Sequence, residues 1–149
     1  MDGYRSALGR AGIPADPGLI YAGDFLFEGA LVAARDMLGL ADPPTAIFAG
    51  SDMQAMGVYE AARLRKLRIP DDLSVVGFDD LPMSAWVSPP LTTVVQPLAS
   101  MAAMATRTVL DSLGGRTNPS SNRVELTTSL VVRASTAPPR RKAAVQRQR

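Results

Sequence analysis

An α/β fold built on a parallel sheet is what this sequence predicts, and three observations carry that reading. Short runs rich in β-branched residues alternate with stretches of helical periodicity, the pattern of strands joined by crossover helices. Residues 75–78, VVGF, form an uninterrupted run of apolar residues and glycine, which suits a strand covered on both faces. Glycine and proline punctuate the intervals between elements, at Gly12, Pro14, Pro17, Gly39, Gly50, Pro70 and Pro97.

Residues 2–11 read as a helix, with Tyr4, Leu8 and Ala11 on one face and Gly12 as its stop. Residues 19–22 form a short strand leading into Gly23, Asp24 and Phe25, and a second helix covers 27–38 and ends at Gly39. The next unit repeats that logic. Residues 45–49 are a β-rich run and Gly50 makes the turn. Ser51 with Gln54 three residues on forms a capping box for a helix reaching about residue 67. Arg63, Arg65, Lys66 and Arg68 crowd that helix's C-terminal end, where the dipole favours cations. The strand 73–78 follows, ending in the paired carboxylates Asp79 and Asp80. After a short irregular piece, Pro89-Pro90 leads into a strand at 91–95. A Met/Ala-rich helix spans 98–113, with Met101, Met104, Val109 and Leu113 reading as core. A polar loop at 118–122 precedes two final strands, at 124–126 and 130–133.

Composition narrows the function. The chain has 149 residues, 46% hydrophobic and 20% charged, one globular domain's worth. It has no Cys and no His, which excludes disulfides and thiolate metal sites and removes the commonest general base. No metal and no cofactor are expected, and hydrolase, redox and zinc chemistries are disfavoured. No apolar run approaches the roughly 18 residues of a membrane span, and the N-terminus lacks a basic-then-apolar export pattern, so a cytoplasmic location without membrane attachment is expected. The net charge of +2 is misleading, because Arg140, Arg141, Lys142, Arg147 and Arg149 supply it. Without them eleven basic residues face fourteen acidic ones, a net of −3. Residues 137–149 are therefore expected to be a solvated, disordered basic tail and not a nucleic-acid arm.

The strongest motif is SVVGFDDLPMSAWVSPPLTTVVQP, followed by LVVRAST at 130–136. With DGYRSALGRAGI, AGDFLFEGALVAARDML and PTAIFAGSDMQAMGVYEAARLRKLRIPDDLS upstream, it resembles the effector-binding domain of the LacI/GalR family of bacterial transcription regulators. The resemblance runs from residue 1 to about 138 and covers only the last part of the family's length, without the helix-turn-helix headpiece or the first half of the sensor. It implies a truncated, Rossmann-like lobe of a periplasmic-binding-protein-like type I fold. Residues 1–136 are then a partial sensor domain: 1–95 mostly C-terminal lobe, 98–126 elements of the N-terminal lobe, and 130–136 a returning strand. It further implies that a central strand is missing between the segments at 19–22 and 45–49, leaving unpaired edges and exposed apolar surface.

Candidate ligand contacts cluster at strand ends, where open parallel sheets bind small molecules. Asp79 leads, because an ionised carboxylate accepts two hydrogen bonds in one plane and suits adjacent sugar hydroxyls or the N–H edges of a purine; the resemblance implies effector contact at this position. Phe25 offers a flat apolar face for a pyranose or a base. Ser51 and Asp52 end the next strand, although capping already explains Ser51, and Gln96 borders the crossover. Asp80 reads as the capping residue of the next turn. By resemblance Met56, Trp86 and Val87 match a homodimer face, and the family's effector-binding Arg would lie just before residue 2.

No catalytic residues are expected. A nucleophile elbow around Ser51 would need glycines where Ala49 and Met53 stand, and adjacent Asp79 and Asp80 on one strand would point to opposite faces. The reading is the effector-sensing portion of a LacI-type regulator, not an enzyme. It binds a small polar ligand, a sugar by preference, with DNA contact only through an absent headpiece. The rivals are a periplasmic sugar-binding protein of the same fold and a non-binding dimerisation fragment.

Overall fold

The computed structural model describes residues 1–114 and 124–139. Helix α1 (Asp2–Arg10) is followed by a 3-10 turn at Pro17–Leu19 and by α2 (Phe27–Met37). Strand β1 (Ala46–Phe48) feeds α3 (Asp52–Leu64), and β2 (Ser74–Asp79) leads through the single-turn α4 (Met83–Trp86) to β3 (Thr92–Val95). The long α5 (Leu98–Leu113) and a short β4 (Ser129–Val131) complete the described chain. The strands lie in the order β1-β2-β3-β4, the first three parallel and β4 antiparallel to β3. The parallel-sheet expectation therefore holds for three strands, with the returning strand reversed.

The core sits between α3 and the sheet. Leu73, Val75 and Leu91 have no exposed surface, and Ala55, Val58, Ala61 and Ala62 of α3 lie on them. Small residues here let α2 approach α3 closely. A Cβ on Gly57 would stand 2.5 Å from the Phe27 carbonyl oxygen and 2.8 Å from the Leu31 nitrogen. A mid-helix glycine costs roughly 1 kcal/mol in propensity, and here it is what permits the helices to touch. That contact fixes the start of α2, and with it the loop carrying Phe25, against the start of α3.

The capping box forms in altered shape. Ser51 Oγ accepts from the Gln54 amide at 3.1 Å, but the Gln54 side chain reaches back to the Gly50 N–H at 3.0 Å and not to Ser51. Helix α3 ends three residues earlier than expected. Lys66, at φ 57°, takes the left-handed position of its C-terminal cap, and Leu67 N–H returns to the Ala62 carbonyl.

A strap after β4 closes the sheet at the opposite end. Ser135 is buried between the starts of β2 and β3: its N–H-accepting carbonyl takes Val75 N–H at 2.9 Å, and its Oγ donates to Val75 O at 2.6 Å. The same Oγ accepts from Thr92 N–H at 2.7 Å.

Five expectations need correction or fall outside view. Residues 19–22 are not a strand: the turn occupies Leu19, and Ile20 is extended at φ −117°, ψ 114° with no ladder partner among the described residues. A strand needs a neighbour, and the nearest edge, β1, lies across a cavity of about 500 Å³. Residues 124–126 likewise have no ladder. Helix α5 buries none of its residues: Met101, Met104, Val109 and Leu113 are all exposed, because no described element covers them. The loop at 118–122 and tail residues 140–149 lie outside the described residues.

Candidate functional site

The carboxyl ends of β1, β2 and β3 form one mouth, and backbone strain concentrates there. Four non-glycine residues among those described have positive φ, and three are Phe25 (62°), Asp79 (115°) and Asp80 (59°); the fourth is the Lys66 cap. Each such conformation costs of order 1–3 kcal/mol and persists only where its surroundings enforce it. The surroundings here are identifiable.

At the end of β2 the three neighbouring carboxylates have different tasks. Asp52 is fully buried at the first turn of α3, where Oδ2 accepts from Leu81 N–H at 2.7 Å and Oδ1 from Thr93 Oγ1 at 2.6 Å. It ties α3 to β3 and to the loop after β2. The expectation that Asp52 meets a ligand is thereby corrected, since both oxygens are engaged beneath the surface. Asp80 is not a turn cap either. Its Oδ1 accepts from Arg133 Nη2 at 2.6 Å and from Ser84 Oγ at 3.2 Å, while Arg133 Nη1 also donates to Leu91 O at 2.8 Å. Arg133, from the strap after β4, is the site residue that the sequence reading missed. The signal was a lone cation inside the apolar LVVRAST run, which a half-buried strand tolerates only with a partner.

Asp79 remains with one oxygen to spare. Oδ1 accepts from Gln96 Nε2 at 2.7 Å, and Oδ2 has no hydrogen bond among the described residues. The side chain is half-buried, facing the mouth from the last residue of β2, where Asp79 pairs with Val95 of β3. Gln96 immediately follows β3 and precedes Pro97 and α5. The bond thus joins the end of β2 to the crossover.

On the β1 side, Phe25 is 62% exposed, an unusual state for a phenylalanine beside a core. Ser51 Oγ donates to the Phe25 carbonyl at 3.2 Å, and a Cβ on Gly50 would stand 3.4 Å from the ring, so the ring rests on the Gly50 backbone. Ser51 is 6% exposed, and its hydroxyl is spent on Phe25 and on the α3 cap. A second cavity, of about 350 Å³, opens beside these residues between α2 and β1, with Asp24, Gly50 and Gln54 on its rim.

The residues that the resemblance matches to a homodimer face lie elsewhere. Trp86 is 79% exposed on α4, whereas Met56 and Val87 are half-buried against the core. Among the described residues no group of three His, Cys, Asp or Glu side chains converges on a metal-sized site, and no helix is long and apolar enough to cross a membrane. At the carboxyl edge of the sheet, then, stand an Asp79 oxygen without a hydrogen bond among the described residues, the Gln96 amide and, on the β1 side, the exposed Phe25 ring.

A family model described as a periplasmic binding protein-like domain matches residues 1–136. The HTH-type transcriptional repressor CytR of Escherichia coli K12 is 39% identical over 136 residues, 91% of this chain and 40% of that protein. The chain belongs to the LacI/GalR regulator branch of this family. The ribose operon repressor of Haemophilus influenzae is 38% identical over 122 residues, 82% of this LacI-type chain and 36% of the repressor. Among solved structures, the transcriptional regulator CelR–cellobiose complex matches with a TM-score of 0.85 and 36% identity, over 89% of this chain and 40% of CelR. The chain thus spans about 40% of the length of the LacI-type proteins it matches.

Proposed function

We propose that this chain is the effector-sensing part of a LacI-type transcriptional regulator and that its mouth binds a sugar. The observation that carries the proposal is Asp79, held at φ 115° with one oxygen on Gln96 and the other unpaired at the carboxyl edge of the sheet. Phe25 supplies the stacking face. Two adjacent hydroxyls satisfy one carboxylate oxygen and the Gln96 amide, and a sugar ring also has the C–H face that an aromatic ring accepts. Names of relatives support the class: CelR was solved with cellobiose, and another relative is a ribose operon repressor. Ser51 serves by holding Phe25, and Asp52, Asp80 and Arg133 by holding the strained loop.

Gln96 makes the site a sensor in this reading. A ligand that takes Asp79 competes for or adds to the bond to the crossover, and so biases where α5 sits; only such a differential interaction can shift a two-state equilibrium. We assign 98–126 to a second lobe, supported by α5, which has no buried residue. DNA contact belongs to a headpiece outside this chain, and pairing of two copies to the face carrying Trp86. The regulator reading is preferred to a transport protein because the matched relatives are repressors. On this reading the role is binding and not catalysis, in the cytoplasm.

Thermal-shift and calorimetric titration of the 149-residue chain with a panel including cellobiose and ribose tests the site. At least one sugar is expected to raise the melting temperature. Asp79→Ala is expected to weaken it by roughly 1.5–3 kcal/mol, the worth of hydrogen bonds to a charged group. A panel without any shift, or a shift that Asp79→Ala leaves intact, sinks the proposal.

A further inference from the structure

Two consecutive non-glycine residues at positive φ close strand β2, Asp79 at 115° and Asp80 at 59°, and a pair so placed persists only where something grips it. The ladder fixes the near side, where Asp79 pairs with Val95 of β3, and the bond from Leu81 N–H to Asp52 Oδ2 fixes the far side. Between those points the two carboxylates hold the backbone, Asp79 through Gln96 and Asp80 through Arg133. We infer that Arg133 is a positioning residue of the ligand mouth: by gripping Asp80 it sets where the Asp79 carboxylate stands, without meeting a ligand itself. The inference rests on the reading of Asp79 as the ligand carboxylate.

Arg133 is itself immobilised at both ends. Its backbone N–H donates to Thr92 Oγ1 at 2.9 Å. Its guanidinium spends Nη2 on Asp80 Oδ1 at 2.6 Å, and Nη1 on Leu91 O at 2.8 Å and Ser84 Oγ at 3.0 Å. A planar fork that meets three acceptors cannot swing without losing several bonds at once, which a single ammonium in its place would not reproduce. The pair is sheltered, with side chains exposed by 20% and 26%. Without Arg133, the Asp80 carboxylate would keep only the Ser84 hydroxyl in a half-buried place, and the loop relieves that by turning Asp80 outward. Asp79 then turns with it, because the two residues share one rigid peptide plane.

The position of Arg133 along the chain adds a consequence. The chain leaves the sheet after Val95 and re-enters it at Ser129, and these two residues face each other across the β3–β4 ladder. Gln96 stands at the exit and bonds to Asp79; Arg133 stands just beyond the re-entrant β4 and bonds to Asp80. Both ends of the segment that carries α5 are thereby tied to neighbouring carboxylates at the end of β2. The ties differ in kind. An amide on a carboxylate with a spare oxygen can be exchanged for a ligand hydroxyl, whereas a sheltered ion pair with further bonds around it stays. One tie answers to the ligand, and the other keeps the point from which it is read.

The test reads the backbone by NMR on the isotopically labelled 149-residue chain carrying Arg133→Met, which keeps an aliphatic stem and removes the guanidinium. At positive φ an amide proton lies close to its own Hα, so Asp79 and Asp80 give strong intraresidue cross-peaks beside the weak ones of Val76 and Phe78 in β2. In the variant the Asp79 and Asp80 cross-peaks are expected to fall to the strength of those of Val76 and Phe78. Slow exchange of the Val75 and Thr92 amides, which Ser135 holds, shows that the strap is still docked. A general loss of stability would not move the cross-peaks of molecules that remain folded. If the strap undocks or the variant does not fold, Asp80→Ala decides instead: Arg133 keeps Leu91 and Ser84, and the Asp79 cross-peak is expected to weaken. Strong cross-peaks in the docked Arg133→Met chain, or at Asp79 in Asp80→Ala, overturn the assignment. Binding gives a separate arm. For any sugar of the panel that binds the unaltered chain, Arg133→Met is expected to weaken affinity by about tenfold or more, and a change below about twofold overturns the assignment. If no sugar binds the unaltered chain, the proposed function fails, and the cross-peaks still decide the role of Arg133.

Discussion

Asp79 combines strain and availability, and the two are separable by mutation. Glycine adopts φ 115° without steric cost, so Asp79→Gly removes the carboxylate and the strain together. Urea unfolding is expected to show a gain of about 1 kcal/mol, less the bond to Gln96, while sugar affinity falls as in Asp79→Ala. Asp52→Ala should act in the opposite sense. It orphans the Leu81 N–H and the Thr93 hydroxyl in the interior, and unfolding should show a loss of roughly 3 kcal/mol. The contrast between these carboxylates was only half legible in the sequence. Asp79 declared itself by ending a buried run, and Ser51 by its spacing from Gln54. Asp52 did not, because what buries it arrives from Leu81 and Thr93, 29 and 41 residues away. Arg133 was hidden for the same reason, since Asp80 lies 53 residues from it.

Elements were readable where their stability is local or their partner is present. Helices α2 and α3 and strand β2 fall where periodicity and capping put them. The segment at 19–22 has strand-like composition and lacks only a neighbour; α5 has a core-like stripe and nothing over it. Pattern reports what a segment is suited to, and packing decides whether it happens. At the junction of β2 with α3 the packing is unforgiving. A Cβ on Gly77 would collide with Asp52 Oδ1 and stand 2.8 Å from Leu91 Cδ2, so Gly77→Ala should cost about 3 kcal/mol or more in a urea melt. Helix α3 also bonds to the Pro89 loop through Tyr59, whose hydroxyl donates to the Pro89 carbonyl at 2.8 Å. Burial pushes this phenol up to about 12 from an ordinary 10.0, against a smaller lowering by Ser135. A raised acid constant in the folded state means stability that is whole below pH 10 and lost as pH climbs through 12. The melting temperature should therefore drop across that window. Tyr59→Phe should flatten the drop, at a loss of roughly 1 kcal/mol near neutrality.

Taken whole, the LacI-type chain carries two kinds of unfinished surface. The edge of β1 and the face of α5 lack cover within the described residues, whereas Trp86 is a single exposed ring on α4, where Ser84 is buried. If copies pair through that face, sedimentation should show a concentration-dependent dimer that Trp86→Ala weakens by about 2 kcal/mol or more, the usual loss at an aromatic anchor. A concentration-independent monomer would refute it. The resemblance made the fold class and the open edge of β1 foreseeable; the strap did not announce itself. Ser135 bonds to Val75 sixty residues earlier, and no short-range contact substitutes for it. During synthesis β2 and β3 leave the ribosome long before Ser135 does, so the Val75 and Thr92 backbone groups that it takes at their starts stay unpaired until a segment 60 and 43 residues further on arrives. The ladder of β2 with β3 is short-range and the latch on it is long-range, which makes the latch the slow contact of this sheet.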